Sequence, residues 1–354
     1  MKKSFLITTG GSGGHVIPAL ILYEHLSKEA NVIITTDKRG LKYLDDEFYK
    51  CKIINTPRLD NIFLLPFNMI KIIILTLKSL FLLKNKKVEK IFSTGGYMSL
   101  PLILAGKILK LEIFLLEPNQ VLGRANKYFL SSCKKIFCYN KKIINFPKNL
   151  LNKMVIIDPL VRENIYKFKS PGRIEDKFTI LIIGGSQSAS IFDMNLKNSI
   201  VNISKKKPIK VIQQTNKENI SYLRDFYLKN DIENKIFNFE NNFENIIKDV
   251  DLCITRSGAS TLAELSVINI PFIAVPLPTS KDNHQLENAN FYKENDCCWV
   301  IEQTNFEKKI EHLLNEILID KIEYFKKKEN LKKLNYQNTW INVNQKILEI
   351  INEN

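Results

Sequence analysis

The sequence predicts an α/β chain of two doubly wound, Rossmann-like halves, and three observations carry that prediction. Short apolar, β-branched runs alternate with helix-length segments along the whole chain, the order that builds βα units and parallel sheets. A strand-then-glycine form occurs twice, in Leu6-Ile-Thr-Thr-Gly-Gly-Ser-Gly-Gly14 and in Leu181-Ile-Ile-Gly-Gly-Ser186. Between them, the polar stretch 158–177, punctuated by Pro159, Pro171 and Gly172, reads as a linker near the middle of 354 residues, a length that suits two domains of about 150 residues.

Strands are expected at 4–9, 31–36, 51–56, 89–93, 111–116 and 134–139, then at 178–183, 209–214, 235–239, 251–255, 271–275 and 297–301. The basic-then-apolar start resembles the opening of a signal peptide, but its apolar run is short and ends in glycines, so it reads as the first strand. The domains are accordingly 1–160, 161–335 and a C-terminal helix within 336–354 that packs back on the first domain. The Lys-rich C-terminal end as a whole reads as one or two surface helices. Two such halves hold a ligand between the carboxyl ends of their sheets.

Hydrophobic residues at 45% and charged residues at 25% exclude a disordered chain and one embedded throughout in a membrane. The balance of 52 basic against 37 acidic residues, net +15, suits nucleic acid, an anionic membrane surface or phosphorylated ligands. Lys, Asn and Ile are abundant everywhere, however, so the raw charge is discounted and nucleic acid is not an expected partner. The six cysteines show no CxxC spacing and read as reduced thiols of a cytosolic protein.

A glycine-rich turn between strand and helix lets the backbone approach a ligand, and the helix start offers N–H groups to anionic oxygens. Gly10, Gly11, Gly13 and Gly14 fit that role. A dinucleotide fingerprint, with Asp37 as its ribose-binding acid, fails because its third glycine would fall at Val16. His15 directly follows the turn, where an imidazole can take a proton from an attacking hydroxyl; the alternative is a capping or hydrogen-bonded structural histidine. Gly184-Gly-Ser186 forms a second such turn, and Ser257-Gly-Ala-Ser-Thr261 a third, with Glu264 one turn further on to accept ribose hydroxyls. Three anion-receptive turns point to a nucleotide diphosphate. The pair Asp249-Val-Asp251 stands at the entry of a strand, the wrong end for the site, and reads as a solvated turn; no metal is expected, and helix termini stabilise the leaving diphosphate instead.

Taken in order, Gly10-Gly-Ser-Gly-Gly-His15, Thr94-Gly-Gly-Tyr-Met-Ser99, Glu117-Pro-Asn-Gln-Val-Leu-Gly-Arg-Ala-Asn126, Gly184-Gly-Ser-Gln187, Arg256-Ser-Gly-Ala259 and Asp282-Asn-His-Gln-Leu-Glu-Asn-Ala289 resemble the MurG family of N-acetylglucosaminyltransferases. The resemblance, running from about residue 4 to about 303, implies a GT-B fold, with two Rossmann-like domains facing across a cleft. It implies a first domain that takes the acceptor and the membrane, and a second that binds UDP-GlcNAc. The implied reaction moves GlcNAc to the C4 hydroxyl of MurNAc in undecaprenyl-diphospho-MurNAc-pentapeptide, with inversion and without a cofactor, at the cytoplasmic face of the plasma membrane. By motif, Ser12, Gly13 and Gly14 meet the donor, Asn119 contacts GlcNAc, and Arg162 and Ser186 lie near the diphosphate. Ala259, Ser260, Thr261, Leu262, Ala263 and Glu264 hold phosphate and ribose, His284 and Gln285 bind sugar hydroxyls, and His15 is the candidate base. Other cell-wall synthesis proteins are further candidate partners.

The chain departs from the family pattern at Leu116 and Pro118, where His and Gln are usual, and at Ser188, where Gly is usual. One extra residue precedes Arg162, and another stands in Pro278-Thr-Ser-Lys281. Alternatives that stay open are another GT-B enzyme, such as a diacylglycerol glycosyltransferase or a UDP-GlcNAc 2-epimerase, and a catalytically silent nucleotide-binding membrane module.

Residues 62–83 are the most apolar stretch, interrupted by Pro66, Asn68, Lys71 and Lys78. They are expected to fall short of the roughly 20 clean residues of a membrane span and to lie at an anionic membrane surface instead. The competing expectation is a core helix packed on the first sheet.

Overall fold

A computed structural model describes residues 2–44, 46–49, 51–57, 62–168, 177–184, 189–240 and 243–353. The chain divides into two units, Met1–Leu160 with Trp340–Asn354, and Val161–Thr339.

The first unit contains β1 (Lys3–Thr8), β2 (Ala30–Thr36), β3 (Lys52–Ile53), β4 (Lys90–Ser93), β5 (Glu112–Glu117), β6 (Lys135–Cys138) and β7 (Met154–Ile156). They form one sheet in the order β3-β2-β1-β4-β5-β6-β7, with every pairing parallel. Parallel strands covered on both faces need apolar side chains at successive positions, and Phe5, Leu6 and Ile7, or Phe114, Leu115 and Leu116, are buried in succession. Two expectations change at the edges. The run at 51–56 pairs only at Lys52–Ile53, and β7 is a half-buried edge strand of three residues, too short to stand out as a pattern.

The second unit contains β8 (Phe178–Ile183), β9 (Ile209–Gln214), β10 (Glu233–Phe237), β11 (Leu252–Thr255), β12 (Phe272–Ala274) and β13 (Cys298–Val300). Their order is β10-β9-β8-β11-β12-β13, again parallel. In both sheets the first strand of the unit lies inside the sheet, and the order reverses beside it, between β1 and β4 and between β8 and β11. Asp251, expected in a solvated turn, is buried and accepts the Thr179 N–H at 2.9 Å. It ties the start of β11 to β8, whereas Asp249 is exposed.

The C-terminal helices also differ from the surface elements expected. Their charged residues mask narrow apolar stripes, with Tyr324 and Leu331 buried in the helix Lys321–Leu334, and Trp340, Val343, Ile347, Ile350 and Ile351 in the helix Trp340–Asn352. The latter is part of the first unit. There the Trp340 ring stacks on His25 at 3.7 Å, and Asn344 Nδ2 donates to His25 Nδ1 at 3.2 Å and to the His25 carbonyl at 3.1 Å.

His25 is fully buried, and its Nε2 has no hydrogen-bond partner. Burial first, and the Lys28 charge second, push its pKa down to about 3. The unfolded state therefore binds a proton that the native state refuses between the ordinary value near 6.5 and about 3, so stability falls as pH drops through that window. His25→Phe keeps the stacking and removes this proton linkage. Urea midpoints at pH 7 and pH 4.5 are expected to differ less in the variant than in the wild type.

Candidate active site

In the first unit the site is built where the strand order reverses, a place where turns leaving neighbouring strands diverge and leave strand ends open. β1 runs into Gly10 and Gly11, with φ of +151° and +85°, and then into the helix Gly13–Leu26, with Ser12 at its N-cap position. The Ser12 carbonyl accepts the His15 N–H at 3.0 Å and the Val16 N–H at 3.1 Å. The short turn thereby becomes a helix start, with Ser12 and Gly14 exposed and Gly13 and His15 half-buried.

His15 Nδ1 lies 2.8 Å from the Thr94 carbonyl oxygen, in the turn that leaves β4. A carbonyl oxygen only accepts, so Nδ1 carries the proton and, in the neutral ring, Nε2 is the basic nitrogen. Gly95 has φ +94°, and a Cβ there would stand 3.2 Å from His15 Cε1 and 3.3 Å from Nδ1. The imidazole thus uses space that only glycine leaves open. Sequence reasoning gave Thr94 and Gly95 no role; the available signal was a second Gly-Gly pair directly behind a strand.

Asn119 is half-buried behind β5 and held by Glu117, whose Oε1 accepts the Asn119 N–H at 3.2 Å and its Nδ2 at 3.0 Å. Glu117 Oε2 takes the Gly123 N–H at 2.7 Å and Asn126 Nδ2 at 2.9 Å. Glu117 is therefore the organiser of this turn, gathering donors that all follow it within nine residues. Leu116 is buried in the core and offers only its carbonyl, to Asn126 Nδ2.

In the second unit the helix Ala259–Val267 starts behind Gly258, where an added Cβ would meet nothing within 4 Å. Ala259, Ser260 and Thr261 are half-buried at its first turn. Leu262 and Ala263 point their side chains into the core, and the Leu262 N–H already donates to the Gly258 carbonyl, so these two are helix scaffold. The hydroxyls of Ser257 and Ser260 are buried without a hydrogen-bond partner. Glu264 is buried, and both of its oxygens receive Arg162, Nε at 2.6 Å and Nη2 at 2.8 Å. This is a bidentate fork with the guanidinium also over the Phe243 ring.

Arg256 is buried, and desolvation lowers its pKa to about 10. Its Nη1 donates to the carbonyls of Val275 at 3.1 Å and Pro276 at 3.3 Å, which shapes the loop behind β12. That loop ends at the helix His284–Glu294. Gln285 Oε1 accepts the Leu277 N–H at 3.0 Å, His284 Nδ1 lies 2.8 Å from the Lys281 carbonyl, and Asn288 Nδ2 donates to the Ser257 carbonyl at 3.1 Å. Hydrogen bonds thus connect the loop with His284 and Gln285 to the turn before Ala259. Ser186 and Ser188 lie outside the described residues.

The apolar stretch is the helix Leu65–Asn85, and Pro66 sits in its first turn, where no N–H is needed. By length and composition this helix suffices to cross a membrane, which corrects the expectation that it falls short. Its inward stripe is Ile72, Thr76, Ser79 and Leu83, while Phe67, Ile70, Ile73, Ile74, Leu77 and Phe81 are exposed. A core helix would bury the opposite set.

Residues 5–138 match the glycosyltransferase family 28 N-terminal domain and residues 179–339 the glycosyltransferase family 28 C-terminal domain. The chain is 46% identical over 357 residues to the UDP-N-acetylglucosamine–N-acetylmuramyl-(pentapeptide) pyrophosphoryl-undecaprenol N-acetylglucosamine transferase of Pelagibacter ubique, with 100% of each chain covered. It is 39% identical over 313 residues to the transferase of the same name from Rickettsia canadensis, covering 86% of this chain and 87% of that one. Its fold is similar to MurG from Acinetobacter baumannii, with a TM-score of 0.78 at 21% identity over 99% of both chains. It is also similar in fold to a UDP-GlcNAc 2-epimerase from Neisseria meningitidis, with a TM-score of 0.67 at 13% identity over 99% of this chain and 100% of that one.

Gly95→Ala forces a left-handed backbone on a residue with a Cβ and presses that carbon on His15. The expected outcome is a loss of about 1–2 kcal/mol in urea unfolding, together with displaced His15 ring signals in NMR spectra.

Proposed function

The chain belongs to glycosyltransferase family 28, among the MurG-type N-acetylglucosaminyltransferases, and from that membership we propose how its own residues carry out the family's reaction. It is a UDP-GlcNAc-dependent transferase that moves GlcNAc to the MurNAc of undecaprenyl-diphospho-MurNAc-pentapeptide in peptidoglycan synthesis.

The observation that carries the mechanism is the bond between His15 Nδ1 and the Thr94 carbonyl, because it makes Nε2 the proton acceptor. In the proposed step Nε2 takes the proton of the MurNAc C4 hydroxyl as that oxygen attacks C1 of GlcNAc. The new C1–O bond forms on the face opposite the breaking bond, so configuration inverts, and UDP leaves with the electron pair. The first-turn amides of Ala259, Ser260 and Thr261, at the positive end of their helix, stabilise the diphosphate, joined by Ser186 and Arg162. Glu264 accepts ribose hydroxyls on the lone pairs that Arg162 leaves. His284 and Gln285 hold sugar hydroxyls, while Ser12, Gly13, Gly14 and Asn119 meet the transferred GlcNAc. The sequence relatives reported above are transferases, whereas the likeness to the epimerase is one of fold, so the acceptor reaction is favoured over epimerisation.

The helix Leu65–Asn85 is the proposed membrane contact. A span would strip Ile72, Thr76, Ser79 and Leu83 from their packing, whereas an in-plane helix keeps that stripe and places Phe67, Ile70, Ile74 and Phe81 in the lipid boundary. Exposed Lys71, Lys78 and Lys84 face anionic headgroups. Such a contact supports the proposal of a peripheral enzyme on the cytoplasmic face, where it would meet its polyprenyl-linked acceptor and other cell-wall synthesis proteins.

Labelled GlcNAc is expected to pass from UDP-GlcNAc to a short-chain analogue of the acceptor with EDTA present; UDP-GlcNAc binding without product would overturn the transferase reading. His15→Ala should abolish turnover and keep donor affinity, while Glu264→Ala should weaken UDP binding by about 1–3 kcal/mol. Flotation with anionic liposomes at low salt tests the membrane contact. The wild type is expected to float and the Phe67→Glu, Phe81→Glu double variant to stay down, whereas equal behaviour of the two would refute the contact.

A further inference from the structure

We propose that Asp37, Arg39 and Tyr97 are positioning residues for His15, closing a ring of hydrogen bonds through the turns that follow β2, β1 and β4. The proposal rests on the reading of His15 as the general base. β2, β1 and β4 are successive neighbours in the sheet, so the turns that leave their carboxyl ends lie side by side.

Asp37, just behind β2, accepts the Gly11 N–H at 2.8 Å and the Gly40 N–H at 3.0 Å on Oδ1. Its Oδ2 takes Arg39 Nε at 2.8 Å, and Arg39 Nη2 donates to the Tyr97 hydroxyl at 2.6 Å in the turn behind β4. Thr94, at the start of that same turn, holds His15 Nδ1, and His15 follows Gly11 in the turn behind β1. The circuit therefore runs from Gly11 to Asp37, Arg39, Tyr97, Thr94 and His15, and returns along the chain to Gly11.

The links are built for rigidity. Asp37 is buried; desolvation works against its charge, but the Gly11 amide, Arg39 and the Gly40 amide outweigh it and hold the carboxyl below the usual carboxylate range. The carboxylate is thus charged at neutral pH, and its bonds are charge-assisted. Gly10 yields to it, since a Cβ at Gly10 would lie 2.7 Å from Asp37 Oδ1. Arg39 reaches in two directions at once while lying over the Tyr97 ring at 5.4 Å, and lysine, a single point donor, cannot reproduce this geometry. An acid that pattern alone offers to a ribose therefore faces the glycine turn of its own unit.

The consequence is kinetic. The partner of Nδ1 decides which nitrogen of His15 is basic, and that partner sits on the β4 turn while the histidine sits on the β1 turn. If the two turns drift, both the tautomer and the aim of Nε2 are lost, and a displacement of about 1 Å in such a site costs roughly 100-fold in rate.

The experiment compares full-length wild type with Arg39→Gln, Tyr97→Phe and the double variant. Arg39 is partly exposed, 41% by side chain, so these changes spare the core. Steady-state transfer is measured together with the ¹⁵N imidazole signals of His15, assigned by their loss in His15→Gln. Each single variant should lose about tenfold or more in kcat, with KM for UDP-GlcNAc unchanged and the double variant no slower than the slower single. The His15 signals should move from the Nδ1–H pattern toward an average of both tautomers, a change that a smaller folded fraction would not produce. Wild-type kcat and an unmoved Nδ1–H pattern in the variants would overturn the ring. If the wild type shows no transfer, the proposed function fails instead. The tautomer signals then decide the ring alone: averaged in the variants they uphold it, unchanged they refute it.

Discussion

The reversal of strand order beside the first strand of each unit is the constraint on which the rest depends. Crossover helices on opposite faces of a parallel sheet leave the carboxyl ends uncovered where the order reverses. In the first unit that opening is where the turn behind β1 meets the turn behind β4, and the bonds from His15 Nδ1 to the Thr94 carbonyl and from Thr94 Oγ1 to Thr9 Oγ1 span it. In the second unit the turn behind β11 stands beside the end of β8, and the loop behind β12 follows next in the sheet.

Around these openings, buried charges serve as scaffold. Removing a carboxylate from water is costly unless several donors replace the hydration, and each buried acid near a turn is satisfied in that way. Glu117 gathers Asn119, Gly123 and Asn126. Asp193 accepts Gln213 Nε2 at 2.8 Å, Thr215 Oγ1 at 2.6 Å and Asn219 Nδ2 at 2.9 Å, and Tyr227 completes the set by donating to Gln213. The energy of these groups lies in holding loops still, so the half-buried groups beside them keep fixed directions.

The helix Leu65–Asn85 inverts the ordinary arrangement. It buries hydroxyls of Thr76 and Ser79 and exposes phenylalanines and isoleucines. Contiguous exposed apolar surface of this kind marks a contact site in a soluble fold. Under the proposed function that surface meets the bilayer, in which the acceptor's polyprenyl tail stays while its sugar reaches the protein.

The fold was legible in the sequence to a large degree, because β-branched runs and glycine turns are local signals set by steric preference and burial. Twelve expected strands appear, though the run at 51–56 shrinks to a pair and β7 escaped notice as an edge strand with little apolar pattern. The glycine turn before His15 and the start of the helix at Ala259 were equally local and legible from spacing. What only the tertiary structure decided are the pairings between residues far apart in sequence. These are His15 with Thr94, Arg162 with Glu264, His25 with Trp340, and Asp37 with Gly11 rather than with a ribose. Each such pair depends on which strands become neighbours, and strand order follows from burying the whole set of apolar faces at once, which no single stretch of sequence records.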